Sequence, residues 1–373
     1  MDAPRADPRD RRGDLQLRVG ILTFHNTTNY GATLQALGLS RALTRRGCTV
    51  EIIDYRPPIA TAYYRPRFRE PDAIAKYVKR LKFNVLFRRH LTRSPAACAR
   101  AEDLPRITAG RYDAVIAGSD QVWNVKEGFR PFDPSFYLSF VNGGVRKLTY
   151  AASFGGPFPL EAYRDRIAAE LKRLDDISVR DEHSRTLVRE IAQRDAQLVA
   201  DPTLLDDLSD LEVAPPAALR GAVYYGPDAA GLGAHAVRWC RPRRLPVSFL
   251  GYRGPAGSPS RIGIGPGEWM GHVRASALVV TSTFHGAVFA AKMGRPFIVI
   301  ARDWNAIKIR DFVERIGLGH RVFRDDECPS ALPDDLWDHT DVIGAQEAIA
   351  RLRAQSEAYL DHALAAAAPH RGN

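Results

Sequence analysis

A histidine lies between two apolar runs in the C-terminal third of the chain. His285 follows the run at 278–281 and precedes a second run at 297–300. Each run is typical of a buried strand, and residues that follow strands in an open parallel sheet face the ligand crevice. Because free imidazole titrates at about pH 6.5, it can give and take protons near neutrality. His285 is therefore the first candidate for a catalytic acid or base; the alternative is a ring that only caps the following helix.

A polar loop after the first predicted strand could bind an anion. Its residues His25, Asn29, Tyr30 and Gly31 lead from a strand into the N-terminus of a helix. Free backbone N–H groups and the helix dipole favour a negative charge at such a point. The loop has neither the lysine of a P-loop nor the spacing of a dinucleotide-binding glycine motif. On its own it is a weak signal, which most α/β proteins share.

A second loop of this kind carries Ser119 and Asp120 after the predicted strand at 112–118. Asp120 could accept the proton of a hydroxyl nucleophile, which makes it a second catalytic candidate. Alternatively, its carboxylate only caps and orders its own turn.

Two cations follow other predicted strands. Arg180 ends the short strand at 176–180, where a guanidinium could hold a carboxylate or phosphate with two hydrogen bonds, unless it only pairs with a neighbouring acidic residue. Lys308 comes shortly after the strand that follows His285, and its alternative is an ordinary exposed lysine. One imidazole, two cations and a helix N-terminus together suit an anionic donor and a hydroxyl acceptor, and hence group transfer.

Length and composition predict a soluble protein of two domains. A chain of 373 residues exceeds what one hydrophobic core usually serves. Hydrophobic residues at 45% and charged residues at 26% are ordinary globular values, and no apolar run is long enough to span a bilayer. The four cysteines are scattered with no CxxC pair, which favours neither a zinc site nor a disulfide framework. A reducing cytoplasm is therefore expected.

Strands alternate with helices along most of the chain, which predicts an α/β protein with two doubly wound parallel sheets facing a cleft. The predicted parts are a disordered tail at 1–17, an N-terminal α/β domain at 18–205, a linker at 206–220, a C-terminal α/β domain at 221–344 and a C-terminal helix at 345–367.

The first domain contains a basic insertion at 56–111, with fourteen Lys and Arg against four Asp and Glu. Contact with nucleic acid, contact with an anionic membrane or lipid-linked acceptor, and a merely solvated helical face are the three interpretations. Within it, 74–90 places apolar and basic residues at the spacing of an amphipathic surface helix. Nucleic acid ranks last, because no helix-turn-helix, RNP or zinc-finger pattern accompanies the segment.

The order of the motifs resembles the polysaccharide pyruvyl transferase family over residues 18 to 325. The motifs that carry the resemblance are Asn29-Tyr-Gly-Ala-Thr-Leu-Gln35, Gly118-Ser-Asp-Gln-Val-Trp-Asn124, Tyr150-Ala-Ala-Ser-Phe-Gly155, Ile177-Ser-Val-Arg180, Asp201-Pro-Thr203 and Thr281-Ser-Thr-Phe-His-Gly286. The resemblance implies a GT-B-like fold of two Rossmann-like domains. It also implies transfer of a pyruvyl group from phosphoenolpyruvate to sugar hydroxyls as a ketal, with no cofactor and no metal.

The resemblance also implies roles for individual residues. His285 falls on the family's catalytic histidine, with Asp120 as the second catalytic candidate. The donor side is expected to comprise Arg180, Lys308, Thr283 and Gly286. The acceptor side is expected to comprise His25, Asn29, Tyr30, Gly31 and Ser119.

One position departs from the family pattern. Better-characterised members carry Arg-Leu-His-Gly where this chain has Thr283-Phe284-His285-Gly286. A charge-assisted contact of the kind that this arginine could make contributes about 1.5 to 3 kcal/mol. The identity of the donor therefore stays open at this point. The alternatives are a glycosyltransferase that uses a nucleotide sugar and a non-catalytic protein that binds glycans or anions.

Overall fold

The computed structural model describes residues 16–64, 72–125, 131–156, 160–217, 221–228 and 231–367, without the side chains of 303–305. The predicted tail at 1–17 therefore lies outside the described residues except for its last two positions.

The first domain is built on parallel strands. Its main sheet has the order β2-β1-β3-β4, and the short pair β5-β6 joins it through isolated bridges from the β4 region. These strands are β1 (Arg18–Leu22), β2 (Thr49–Ile52), β3 (Ala114–Ala117), β4 (Arg146–Thr149), β5 (Ser178–Val179) and β6 (Gln197–Leu198). The helices are α1 (Tyr30–Thr44), α2 (Pro58–Tyr63), α3 (Ala73–His90), α4 (Leu104–Thr108), α5 (Arg164–Lys172) and α6 (Glu182–Ala192).

The second domain has one six-stranded parallel sheet in the order β12-β11-β10-β7-β8-β9. Its strands are β7 (Ala222–Tyr225), β8 (Val247–Leu250), β9 (Ser260–Arg261), β10 (Leu278–Thr281), β11 (Phe297–Ala301) and β12 (Val322–Arg324). Its helices are α7 (Gly233–Cys240), α8 (Pro266–Ala275), α9 (Phe284–Lys292), α10 (Asp303–Arg315) and α11 (Thr340–Gly344), and α12 (Gln346–Ala365) ends the described chain. Counted from the start of the domain, the strand order is that of a Rossmann sheet. The predicted fold class, two doubly wound α/β domains, is confirmed.

The glycine and proline content of 251–267 predicts a loop. The last two residues of this stretch begin α8. Proline is well tolerated in the first turn of a helix, and here Pro266 begins α8. Glycine serves a different purpose: a Cβ at Gly267 or Gly271 would lie within 2.2 Å of a backbone carbonyl oxygen in 211–213. The predicted linker therefore packs directly against α8, whose glycines permit this close backbone approach. The loop prediction is wrong only for β9 and for the first two residues of α8.

A single apolar core crosses from one domain to the other. It includes Leu34 and Leu37 of α1 together with Phe284 and Val288 of α9. The first turn of α1 is fixed by Asn29, whose side chain accepts a hydrogen bond from the N–H of Ala32 at 3.2 Å. The N-terminal ends of α1, from the first domain, and α9, from the second, thus meet at the contact between the domains, which we call the seam.

Helix α12 returns to the first domain after the second is complete. Ser356 Oγ accepts a hydrogen bond from the N–H of Ala200 at 2.7 Å, and Tyr359 donates to the carbonyl of Thr149 at 2.8 Å. Arg46 adds ion pairs to acidic residues of the same helix. Among the helices that the structure describes, α12 included, none is both long enough and apolar enough to span a membrane.

These contacts predict that Ser356→Ala destabilises the protein. The substitution leaves the buried N–H of Ala200 without its acceptor, which costs about 1 to 3 kcal/mol. Urea unfolding followed by circular dichroism measures the change. Gln355→Ala, at the neighbouring exposed position of α12, should change the free energy of unfolding by no more than about 0.5 kcal/mol. Equal losses in the two variants would contradict the assigned contact.

Candidate functional site

His285 lies in the first turn of α9, directly after β10, and is 8% exposed. The turn is ordered by Thr283, whose hydroxyl accepts a hydrogen bond from the N–H of Gly286 at 3.1 Å. Gly286 itself faces Thr281, since a Cβ there would lie 2.1 Å from that hydroxyl. The structure therefore uses Thr283 and Gly286 to cap the helix and to place the imidazole at the seam between the domains.

The imidazole of His285 packs against the first turn of α1 in the other domain. A Cβ built at Gly31 would lie 2.0 Å from His285 Nδ1. No side chain other than hydrogen leaves room for the ring at this distance. Gly31 is thus the predicted acceptor-side residue that the structure brings into direct contact with the candidate catalytic histidine.

A buried carboxylate joins the histidine to the predicted arginine. Asp201 Oδ2 lies 3.1 Å from Arg180 Nη1 and 3.4 Å from His285 Nε2, the second contact being close enough for an ion pair but poorly aligned for a hydrogen bond. Thr203 donates to the other carboxylate oxygen through its N–H and its hydroxyl. Burial alone would raise the pKa of Asp201, but the imidazole, the guanidinium and these hydrogen bonds hold it well below its usual range.

Two buried nitrogen atoms of this cluster lack a hydrogen-bond partner among the described residues, Arg180 Nε and His285 Nε2. Unpartnered buried donors of this kind are rare in folded proteins, and each costs about 1 to 3 kcal/mol. The guanidinium carbon of Arg180 also lies 4.2 Å from the centre of the Phe284 ring, beside His285. A bound anion or polar ligand would satisfy both nitrogens, so the cluster has the character of a binding site.

The two remaining charged candidates flank this cluster. Asp120 Oδ1 lies 3.8 Å from Arg180 Nη2 and also accepts a hydrogen bond from the N–H of Gln121. Lys308 is buried on α10, one turn before Phe312, which contacts the ring of Phe284. Asp120 is thereby brought to the site through Arg180, and Lys308 lies on the helix that backs it.

Two predicted acceptor-side residues are engaged elsewhere in the first domain. The ring nitrogens of His25 lie 3.1 Å from the carbonyl of Thr23 and 2.9 Å from Asp54 Oδ1. Ser119 is fully buried, and its hydroxyl donates to the carbonyl of Ala151. Both side chains order the ends of strands beneath the site, and neither is directed at His285.

The other two predicted acceptor-side residues, Tyr30 and Asn29, lie at the N-terminal end of α1, next to the seam. Tyr30 is almost fully buried, stacks on Trp269 of the second domain at 5.2 Å and donates to the carbonyl of Ile264. Asn29 is half-buried and caps α1. The loop predicted for an acceptor thus contributes Gly31 to the site and Tyr30 to the contact between domains.

Asp201 is the site residue that sequence reasoning did not assign. It belongs to Asp201-Pro-Thr203, directly after the predicted strand at 197–200, at the same kind of strand end that singled out Asp120 and Arg180. Its position after a predicted strand could therefore have identified Asp201 as a site candidate. Its pairing with His285 depends on how the two domains meet, which local sequence does not reveal.

The close contact at Gly31 predicts a double-mutant coupling. Gly31→Ala should cost about 1 to 3 kcal/mol because the new methyl group overlaps the His285 ring. In a His285→Ala background the same change should cost almost nothing, since the ring is gone. Gly144→Ala is the matched control, because a Cβ there meets no atom within 4 Å. Equal costs of Gly31→Ala in both backgrounds, measured by denaturant unfolding, would contradict the contact.

The charged state of Asp201 predicts an acid-dependent stability difference. Asp201→Asn removes one partner of a buried ion pair and should cost about 3 kcal/mol near neutrality. Because the native pKa of Asp201 is lowered, the unfolded chain takes up the proton first as pH falls below about 4, and the wild type loses this stabilisation there. The difference between the two proteins should shrink from pH 5 downward. Asp195→Asn, with a side chain 97% exposed, is the control, and a difference independent of pH would refute the assignment.

Solved structures share this fold at low sequence identity. The spinosyn forosaminyltransferase SpnP is 12% identical with a TM-score of 0.54, over 95% of this chain and 100% of that one. A protein from Listeria monocytogenes described as a UDP-N-acetylglucosamine 2-epimerase is 10% identical with a TM-score of 0.55, over 92% and 94% of the two chains. Arabidopsis thaliana UGT89C1 is 12% identical with a TM-score of 0.50, over 95% and 100%. These likenesses show the GT-B-like fold.

No curated protein sequence matches the chain. The polysaccharide pyruvyl transferase family model does, over residues 29–303. That match runs from the cap of α1 through His285 and β11, and so contains Gly31, Arg180 and Asp201. The chain belongs to the polysaccharide pyruvyl transferase family and is a transferase.

Proposed function

We propose that this transferase moves a pyruvyl group from phosphoenolpyruvate to two hydroxyls of a sugar or glycan, forming a cyclic ketal. The observation that carries the proposal is the cluster of Arg180, Asp201 and His285 at the contact between the domains. It combines a titratable imidazole with a buried cation that has an unpartnered nitrogen. An anionic donor that must be protonated on carbon needs both.

The proposed reaction proceeds in two additions at one carbon. A proton is delivered to the methylene carbon of the donor, and a sugar hydroxyl adds to the central carbon with loss of its own proton. The bond from that carbon to the phosphate oxygen then breaks, and a second hydroxyl adds and loses its proton. The products are the ketal and inorganic phosphate, and in this proposal neither a metal nor another cofactor takes part.

Each charged residue has a role in this scheme. His285 protonates the methylene carbon, and Asp201 holds the imidazole in position. Arg180 binds the donor's carboxylate or phosphate, and Lys308 is proposed to neutralise the same anion from α10. Asp120 accepts a hydroxyl proton. Asp201 is thus a positioning residue, and the others are proposed to touch substrate.

In this proposal the protein still offers the donor a cation, although position 283 is a threonine. Thr283 serves as the cap of α9, while the guanidinium of Arg180 lies over the ring of Phe284, one residue before the histidine. A cation therefore stands beside His285 although position 283 carries none. This arrangement supports an anionic donor such as phosphoenolpyruvate, and the binding and product measurements below separate it from a nucleotide sugar, which is also anionic.

The proposal predicts pyruvylated product from phosphoenolpyruvate. Purified protein, the donor and a panel of glycans with neighbouring hydroxyls are incubated together, and mass spectrometry detects the ketal while phosphate release is measured. His285→Ala should lower turnover by about 10²- to 10⁴-fold because the acid is lost. His362→Ala, an exposed histidine of α12, should leave it unchanged.

A binding measurement separates the alternatives. Phosphoenolpyruvate should raise the thermal midpoint of the wild type, and Arg180→Met should weaken its binding about tenfold or more. A glycosylated product from UDP- or GDP-sugars, with no ketal from phosphoenolpyruvate, would replace the proposal with glycosyl transfer. Binding of phosphoenolpyruvate without product from any donor would leave only a binding protein and would also overturn it.

A further inference from the structure

Helix α3, in the basic insertion, is apolar on two sides. Its inner face packs into the core through Phe83, Leu86 and Phe87. Its outer face carries five large apolar side chains that face solvent. They are Ile74, Tyr77, Val78, Leu81 and Val85, with exposures of 83%, 53%, 38%, 47% and 47%.

The five side chains form one stripe. Residues three or four positions apart lie above one another on a helix, and this spacing runs through the whole set from Ile74 to Val85. A soluble domain seldom exposes a continuous apolar surface of this kind unless something docks there. The stripe therefore calls for an apolar or amphipathic partner.

A basic cavity adjoins the C-terminal end of the stripe. It has a volume of about 380 Å³, and its lining includes three arginines and one carboxylate. The lining residues are Asp54, Arg56, Arg88, Leu91, Arg93, Ser94, Pro95 and Ala97. Arg56 and Arg93 both contact Asp54, whereas no ion pair of Arg88 is found among the described residues. The three arginines and one carboxylate leave an excess of two positive charges. Arg88, three positions after Val85, borders both the stripe and the cavity.

We propose that this stripe and cavity, together the α3 surface, dock the protein on an anionic phospholipid bilayer. The stripe enters the interfacial region, and the arginine cavity holds a lipid phosphate. Apolar residues along one helical face with arginines beside them are the combination that anionic membranes bind. The inference goes beyond the proposed reaction and does not depend on it.

Charge complementarity selects this partner over two others. A symmetric dimer through the stripe would cover the apolar side chains but would supply no anion to the arginine cavity. A nucleic acid would meet the arginines but would leave the apolar stripe facing water. A bilayer with anionic headgroups matches both the apolar and the basic parts.

Vesicle flotation tests the proposal with the full-length protein. The wild type should bind vesicles of phosphatidylcholine and phosphatidylglycerol about tenfold more tightly than phosphatidylcholine alone. The double variant Leu81→Ser/Val85→Ser should lose binding to both, and Arg88→Glu should lose the preference for the anionic vesicles. Ile343→Ser and Arg241→Glu, exposed positions of the second domain, are the matched controls and should bind like the wild type. Circular dichroism and thermal midpoints verify that each variant is folded.

Three outcomes would overturn the proposal. Equal binding to the two vesicle types removes the role of charge, and unchanged binding of the stripe and Arg88 variants removes the α3 surface. Light scattering that finds a dimer dissociated by Leu81→Ser/Val85→Ser would assign the stripe to a contact between copies of this chain instead.

Discussion

The site depends on one buried carboxylate that remains charged. Asp201 has no solvent contact, and its charge is stable because Arg180 and His285 lie against the same oxygen. Removing either partner would leave the charge less well compensated in a medium where that is costly. Since Arg180 and Asp201 belong to the first domain and His285 to the second, the same interaction is also one of the contacts between the domains.

Close packing against the backbone is the second constraint, and it explains why several positions are glycine. Gly31 admits the ring of His285, and Gly267 with Gly271 admits the segment that connects the domains. In each case a neighbouring group occupies the volume that a Cβ would need. From sequence alone, such glycines are interpreted as turn or loop residues. Gly31 was therefore predicted as part of an anion-binding loop and not as the residue that makes room for His285, and α8 was not predicted.

Regular elements were predictable because their apolar periodicity is local. The strand before His285 and the helix at 74–90 follow from spacing alone, and the motif order extended this to the fold class. Arg180, Asp120 and His285 were predictable as neighbours because each follows the end of a strand, and Gly31 because it begins the helix after one. Tyr30 and His25 share the same loop chemistry, yet both side chains are held by hydrogen bonds to residues from other parts of the chain. Those tertiary partners are invisible in a local pattern.

The first turn of α1 links the catalytic contact to the rest of the molecule. Gly31 receives the imidazole, while the adjacent Tyr30 inserts into the second domain against Trp269. The amine of Lys79, on the inner face of α3, lies 4.3 Å from the centre of the same tyrosine ring. Burial lowers the pKa of Lys79 to about 7, because a buried position disfavours the charged form of the amine. One turn of α1 therefore contacts the candidate catalytic histidine, the second domain and the inner face of α3.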